Sequence, residues 1–277
     1  MQRIRLYIIE LILMGILFLS VGFFGYLGYG LLLPDDNPNF SGEEALAHVN
    51  TQLKYGPRIT GSERSQSMST WLVEELSQEG WDVVRHWDDI LPNETRKAVP
   101  GANSAASGTA VLLELARSLH VEDTEHIICL AFLDNEANHG LDGWSDYNGS
   151  QHLIEHLDQD VGRCTLPQVV IAVDTVGNGD HQLFVDTRST LPLSLSIWSV
   201  ATELGYDRWF GERAEDHASS IHTLWRDASI PTVLMMDNGY RYGDTASDTF
   251  DKVSAQSLSR VGRTLEVWLE RGASWEE

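Results

Sequence analysis

Three apolar runs in this chain end on a carboxylate. Ile127-Ile128-Cys129-Leu130-Ala131-Phe132-Leu133 stops at Asp134, with Glu136 two residues on; Val169-Val170-Ile171-Ala172-Val173 stops at Asp174; Thr232-Val233-Leu234-Met235-Met236 stops at Asp237. Asp244 and Asp248 follow in Tyr242-Gly243-Asp244-Thr245-Ala246-Ser247-Asp248-Thr249. One acid ending one run is commonly the first polar residue of a loop. Several that converge in a cleft do more: like charges raise one another's pKa, a carboxylate can take a proton from water, and a cluster can hold a hard cation such as calcium. Nucleophile chemistry is poorly provided for, because no Gly-x-Ser-x-Gly elbow exists and neither cysteine sits in a nucleophile motif.

The elements that must position these acids alternate in kind. Residues 42–55 read as a helix with Ser41 as N-cap and Gly56-Pro57 as its stop; residues 62–78 read as a second, ended by Gly80. Residues 81–86 read as a strand, and a third helix covers about 105–119. The runs 126–133, 168–173 and 231–236 suit strands buried on both faces. Helical patterns at about 149–158 and 191–204 lie between them, and an amphipathic helix over 254–271 closes the chain. Alternating strands and helices predict an α/β sandwich with its functional edge at the strand carboxyl ends.

Pro100-Gly101-Ala102-Asn103-Ser104-Ala105-Ala106-Ser107-Gly108, running straight into Thr109-Ala110-Val111-Leu112-Leu113-Glu114-Leu115-Ala116-Arg117, resembles the loop-to-helix junction of the zinc aminopeptidases of the bacterial leucyl aminopeptidase type and of their relatives the glutaminyl cyclases. Gly56-Pro57-Arg58-Ile59-Thr60-Gly61-Ser62 is similar to that family's opening loop, and Phe132-Leu133-Asp134-Asn135-Glu136-Ala137 to the strand end carrying its general base. Asp174-Thr175-Val176-Gly177, Glu215-Asp216-His217 and the 242–249 segment follow in the family's order. The resemblance implies a three-layer α/β/α sandwich with a mixed central sheet, over residues 42–277. It implies peptides or protein N-termini as partners, and zinc ions held by His and carboxylate ligands around an open water position. Zinc would acidify that water and Glu136 would take its proton. Asp174 occupies a ligand position, while Asp216, His217 and Asp248 occupy supporting ones.

Three other ligand positions are altered. Ser104 stands where an aspartate bridges the metals, Ala137 where an acid ligates, and Asp244 where a histidine does. A neutral hydroxyl is a poor substitute for a shared carboxylate, alanine offers no lone pair, and a carboxylate is a harder donor than zinc favours. The resemblance therefore implies a degraded zinc site and weak or absent peptidase activity, with an active enzyme carrying one impaired metal site as the alternative. His86-Trp87-Asp88 has two readings. It supplies the family's ligating histidine and its orienting aspartate, or it is a coincidence in a stretch too short for the strand pair the family carries there. His152-Leu153-Ile154-Glu155-His156 spells an inverted zincin pattern, yet the resemblance places it on a peripheral helix with a solvated face.

At 277 residues the chain has room for one sizeable domain and one membrane segment. Residues 11–33 carry no charge, which exceeds the about 20 apolar residues a membrane-crossing helix needs. Arg3 and Arg5 precede this run and Asp35 and Asp36 follow it, so a cytoplasmic tail (1–5), an anchor (6–33), a linker (34–41) and an extracytoplasmic domain are expected. The run is too long for a cleaved signal peptide and lacks a small-x-small site. With 41 acids against 19 bases, a net charge of −22 argues against nucleic acid as a partner. Cys129 and Cys164 permit one disulfide at most, and the apolar run around Cys129 favours a buried free thiol.

Overall fold

The computed structural model describes Ser20 and residues 38–85, 98–104, 106–124, 126–136, 146–157, 164–216 and 221–275. Apart from Ser20, the expected tail and anchor lie outside these residues, as do His86, Asp88, Ala137 and His217. Among the described residues no helix is long and apolar enough to cross a membrane. One compact unit runs from Asn39 to Glu277.

Helix α1 (Gly42–Lys54) starts where Ser41 Oγ accepts the Glu44 N–H at 3.3 Å, with Glu43 and Glu44 in its first turn and Lys54 in its last, as the helix dipole favours. Helix α2 (Glu63–Gln78) begins the same way, Ser62 Oγ accepting the Ser65 N–H at 3.2 Å. Helix α3 (Ala106–Ser118) is buried along most of its length. It starts with small residues because it runs against a strand end. A Cβ on Gly108 would stand 2.2 Å from the Val173 carbonyl oxygen, so only glycine permits this approach.

Strand β1 (Val170–Asp174) pairs in parallel with β4 (Thr232–Met236), and β2 (Leu183–Asp186) with β3 (Phe210–Glu215). Between the two ladders the Asn178 amide reaches Asp237 at 2.8 Å, Ser189 Oγ accepts from Leu234 N at 3.0 Å, and Thr190 N donates to Thr232 O at 2.7 Å. Both ladders are parallel, and these bonds join their flanks. Helices α5 (Leu191–Glu203) and α6 (Ile221–Asp227) connect these strands. Helix α4 (Asn148–Glu155) follows the first acidic loop, and α7 (Ala255–Glu270) closes the fold.

The main core joins Phe40, Val49, Val111, Leu115, Leu183, Ile197, Trp198, Val233, Met235, Leu258 and Leu265, drawn from α1, α3, α5, α7 and the strands. Two buried acids fasten its front. Glu266 of α7 accepts the Asn39 and Phe40 N–H groups at 3.0 Å each, and Glu114 of α3 accepts that of Ser41 at 2.7 Å.

Two predicted strands are corrected. Residues 81–85 and 126–133 are not in a strand, and the second run is not buried on both faces, Ile127 being 65% exposed. Its burial alternates, with 127, 129 and 131 outward and 128, 130 and 132 half-buried, which is the period of an extended segment covered on one side only. The free-thiol expectation also fails: Cys129, on that open face, is joined to Cys164 in a disulfide. The short elements β2, β3 and α6 were not predicted, being four, six and seven residues long with weak periodicity.

Titration of the denatured, unreduced chain with a thiol reagent is expected to find no free thiol. Two reactive cysteines before reduction would contradict the Cys129–Cys164 bond.

Candidate functional site

Asp248 organises the loop that precedes α3. It is fully buried, and its Oδ1 accepts the Asn103 N–H at 2.9 Å and the Tyr240 hydroxyl at 2.6 Å. Its Oδ2 accepts the Ser104 N–H at 3.0 Å and the Ser104 hydroxyl at 2.7 Å. Asn103 then passes the connection on, its Oδ1 accepting the Gly177 N–H at 2.6 Å, just past the end of β1. Arg58 lies beneath, donating from Nη2 to the Gly101 carbonyl at 2.9 Å. Burial lowers the Arg58 pKa, while the charges of Asp248 and Asp134 work against that fall.

The acids after residue 133 are held by hydroxyls and backbone amides. Asp134 accepts from Thr60 Oγ1 at 2.7 Å and Ser65 Oγ at 2.6 Å, which ties the opening loop and α2 to this loop. Glu136 accepts the Ser150 N–H on Oε1 and the Ser150 hydroxyl on Oε2, both at 2.7 Å, so its carboxylate caps the first turn of α4. Gly149 makes that seat: a Cβ there would come 2.1 Å from the Asp134 carbonyl oxygen and 2.6 Å from Glu136 Oε1.

Burial raises the Glu136 pKa to about 7; the Ser150 bonds pull it down, and the charges of Asp134 and Asp174 push it further up. At the end of β1, Asp174 accepts the Thr175 hydroxyl at 2.9 Å. Its pKa is raised by burial to about 6, with Asp244 and Asp248 adding repulsion. Thr175 and Asp244 both adopt left-handed backbone, φ 51° and 56°. Such conformations in non-glycine residues cluster where a site constrains the chain.

The structure thus brings Glu136, Asp174, Asp244, Asp248 and Ser104 into one electrostatic neighbourhood. Asp216 is elsewhere in its contacts, 62% exposed and paired with Arg188 at 3.3 Å. His86, Asp88, Ala137 and His217 fall outside the described residues. His152 and His156 stack at 4.1 Å, with His156 Nδ1 lying 2.8 Å from the His152 carbonyl oxygen.

The described residues do not by themselves make a tight zinc site, and His86, Ala137 and His217 lie outside them. The Ser104 hydroxyl donates to Asp248, and Asp174 and Asp244 bring only carboxylate oxygens. Among the described residues no group of three or more His, Cys, Asp or Glu is arranged to hold a metal ion.

Sequence reasoning missed Ser150, Arg58 and Tyr240, and also a buried pair, His222 Nε2 to Asp186 Oδ1 at 2.6 Å, which fastens α6 to the end of β2. Arg58 falls inside the quoted 56–62 motif, but its bond to the Gly101 carbonyl, like the His222–Asp186 pair, joins residues remote in sequence.

A model of peptidase family M28 matches residues 78–269. Among solved structures, a leucine aminopeptidase precursor from Bacteroides thetaiotaomicron is 21% identical with a TM-score of 0.75, covering 84% of this chain and 98% of that one. A glutaminyl cyclase from the same organism, solved with N-acetylhistamine, is 20% identical with a TM-score of 0.74, over 84% and 98%. A Zn-dependent exopeptidase from Parabacteroides distasonis is 20% identical with a TM-score of 0.70, over 83% and 97%. At these identities the likeness establishes the shared fold. No curated protein matches the chain.

Replacing Asp248 by Asn leaves buried donors short of an acceptor and is expected to cost about 2–3 kcal/mol in urea unfolding. An unchanged midpoint would remove Asp248 from its organising place. The raised carboxyls set a pH trend for the chelator-treated chain. Their folded pKa values, about 6 for Asp174 and about 7 for Glu136, exceed the unfolded values of 3.8 and 4.5, so their contribution is complete below the unfolded values and is lost as pH rises through the folded ones. The unfolding midpoint should fall between about pH 5 and 8, and Asp174→Asn should flatten the fall.

Proposed function

The chain belongs to peptidase family M28, and on that premise we propose that it is a membrane-anchored, extracytoplasmic member with a degraded metal site. In this reading it binds peptides or protein N-termini in the peptidase cleft and hydrolyses them weakly or not at all. The observation that carries the reading is Ser104. Its hydroxyl donates to Asp248 Oδ2 at 2.7 Å, at the position where a metal-bridging carboxylate would be needed. Asp244 in place of a histidine and Ala137 in place of an acid point the same way. The Cys129–Cys164 bond supports an oxidising compartment, in keeping with the arginines before the apolar run and the acids after it. Anchor, compartment and partner are parts of the proposal.

One observation favours the alternative, an active metallo-aminopeptidase with one impaired metal site. Glu136 is retained and stands within electrostatic reach of Asp174. The two readings differ in what the full chain does when purified in detergent without chelator and offered zinc. The proposal expects far less than one zinc per chain by elemental mass spectrometry and no chelator-sensitive turnover of aminoacyl substrates. It expects both to rise in the combined variant Ser104→Asp, Ala137→Glu, Asp244→His. About one or two zinc per unmodified chain, with robust chelator-sensitive turnover, would overturn it.

A further inference from the structure

The loop that closes the acidic edge also carries cations. Tyr240, whose hydroxyl donates to Asp248 at 2.6 Å, packs edge-on against Tyr242, the ring centroids 5.7 Å apart. The Arg241 guanidinium lies 5.1 Å from the Tyr242 ring centroid, and Lys252 Nζ lies 5.3 Å from it. At such distances a ring face attracts a cation, so Tyr242 gathers two of the chain's 19 bases at one spot.

This spot borders the acids. A Cβ on Gly243 would stand 3.9 Å from Ser104 Cβ and 3.9 Å from the Tyr240 ring, and the charge of the next residue, Asp244, bears on Asp174. Residues 240–244 therefore lie along the edge that Ser104 and Asp174 define.

The two cations differ in what they are free to do. Lys252 is held by Asp251, whose carboxylate also accepts the Thr249 hydroxyl. Arg241 is exposed, and among the described residues no carboxylate pairs with it. A guanidinium presents planar, paired donors that match a carboxylate. Acids on one side and an uncommitted guanidinium on the other complement a peptide, which carries an ammonium at its start and can carry a carboxylate further along.

We propose that Arg241, with Lys252 beside the same ring, makes the cleft selective for acidic peptides. Arg241 takes a carboxylate of the bound peptide, from an acidic side chain or the C-terminus, while the peptide's amino group lies toward Glu136, Asp174 and Asp244. This preference rests on the peptide-binding reading above and adds a ligand class to it.

Isothermal titration of the full chain in detergent with three tripeptides tests this: alanyl-glutamyl-alanine amide, alanyl-glutaminyl-alanine amide, and alanyl-glutaminyl-alanine with its C-terminus free. At least one of the two peptides bearing a carboxylate is expected to bind about threefold tighter than the neutral amide, as for an exposed ion pair. Which of the two gains identifies the source of the carboxylate. The preference should vanish in Arg241→Gln and shrink in Lys252→Gln. It should persist in Arg271→Gln, which removes an equal charge at the far end of α7, where Arg271 pairs with Glu203 at 2.6 Å. Equal affinity for all three peptides, or a preference that survives in Arg241→Gln, would overturn the proposal and leave the peptide-binding reading standing. Binding of none of the three would overturn both.

Discussion

A single buried carboxylate sets the geometry of the acidic edge. Asp248 receives two backbone N–H groups and two hydroxyls, and through Asn103 it couples the loop before α3 to the turn after β1. Charged acceptors of this kind form the stronger hydrogen bonds of a fold, and burying one without them would be prohibitive. The Arg58 guanidinium, bonded to the Gly101 carbonyl, supplies a compensating charge. Ser104 belongs to this arrangement as a donor, its hydroxyl turned to Asp248.

The same logic runs through the neighbouring acids. Asp134 is satisfied by Thr60 and Ser65, Glu136 by Ser150, Asp174 by Thr175. Neutral donors can satisfy lone pairs, but they cannot cancel the mutual repulsion of carboxylates as a dication does. Burial and repulsion accordingly leave Glu136 and Asp174 protonated far more readily than free acids. The acidic edge therefore keeps its charge on carboxylates that neutral donors hold in place.

The segment 126–133 illustrates how an apolar pattern can mislead. Its composition suits a strand covered on both faces, yet Ile127, Cys129 and Ala131 face outward and the segment joins no ladder. Hydrophobicity reports what a segment would prefer, whereas burial depends on whether a neighbour exists to cover it. The disulfide to Cys164 supplies a covalent hold where that cover is thin.

The helices at 42, 63, 106, 191 and 255 were legible because capping serines and periodic apolar faces are local signals, and β1 and β4 because short apolar runs ending in acids are too. Ordered motifs over most of the domain likewise carried the family and the altered positions Ser104, Ala137 and Asp244, since residue identity at a motif position needs no coordinates. What a side chain does with its hydrogen bonds lies beyond such signals. That Ser104 donates to Asp248, that both Glu136 oxygens are taken by Ser150, and that Cys129 finds Cys164 are facts about residues far apart in sequence. Only the tertiary structure decided them, because hydrogen bonding, burial and charge pairing act over a few ångströms of space with no regard for distance along the chain.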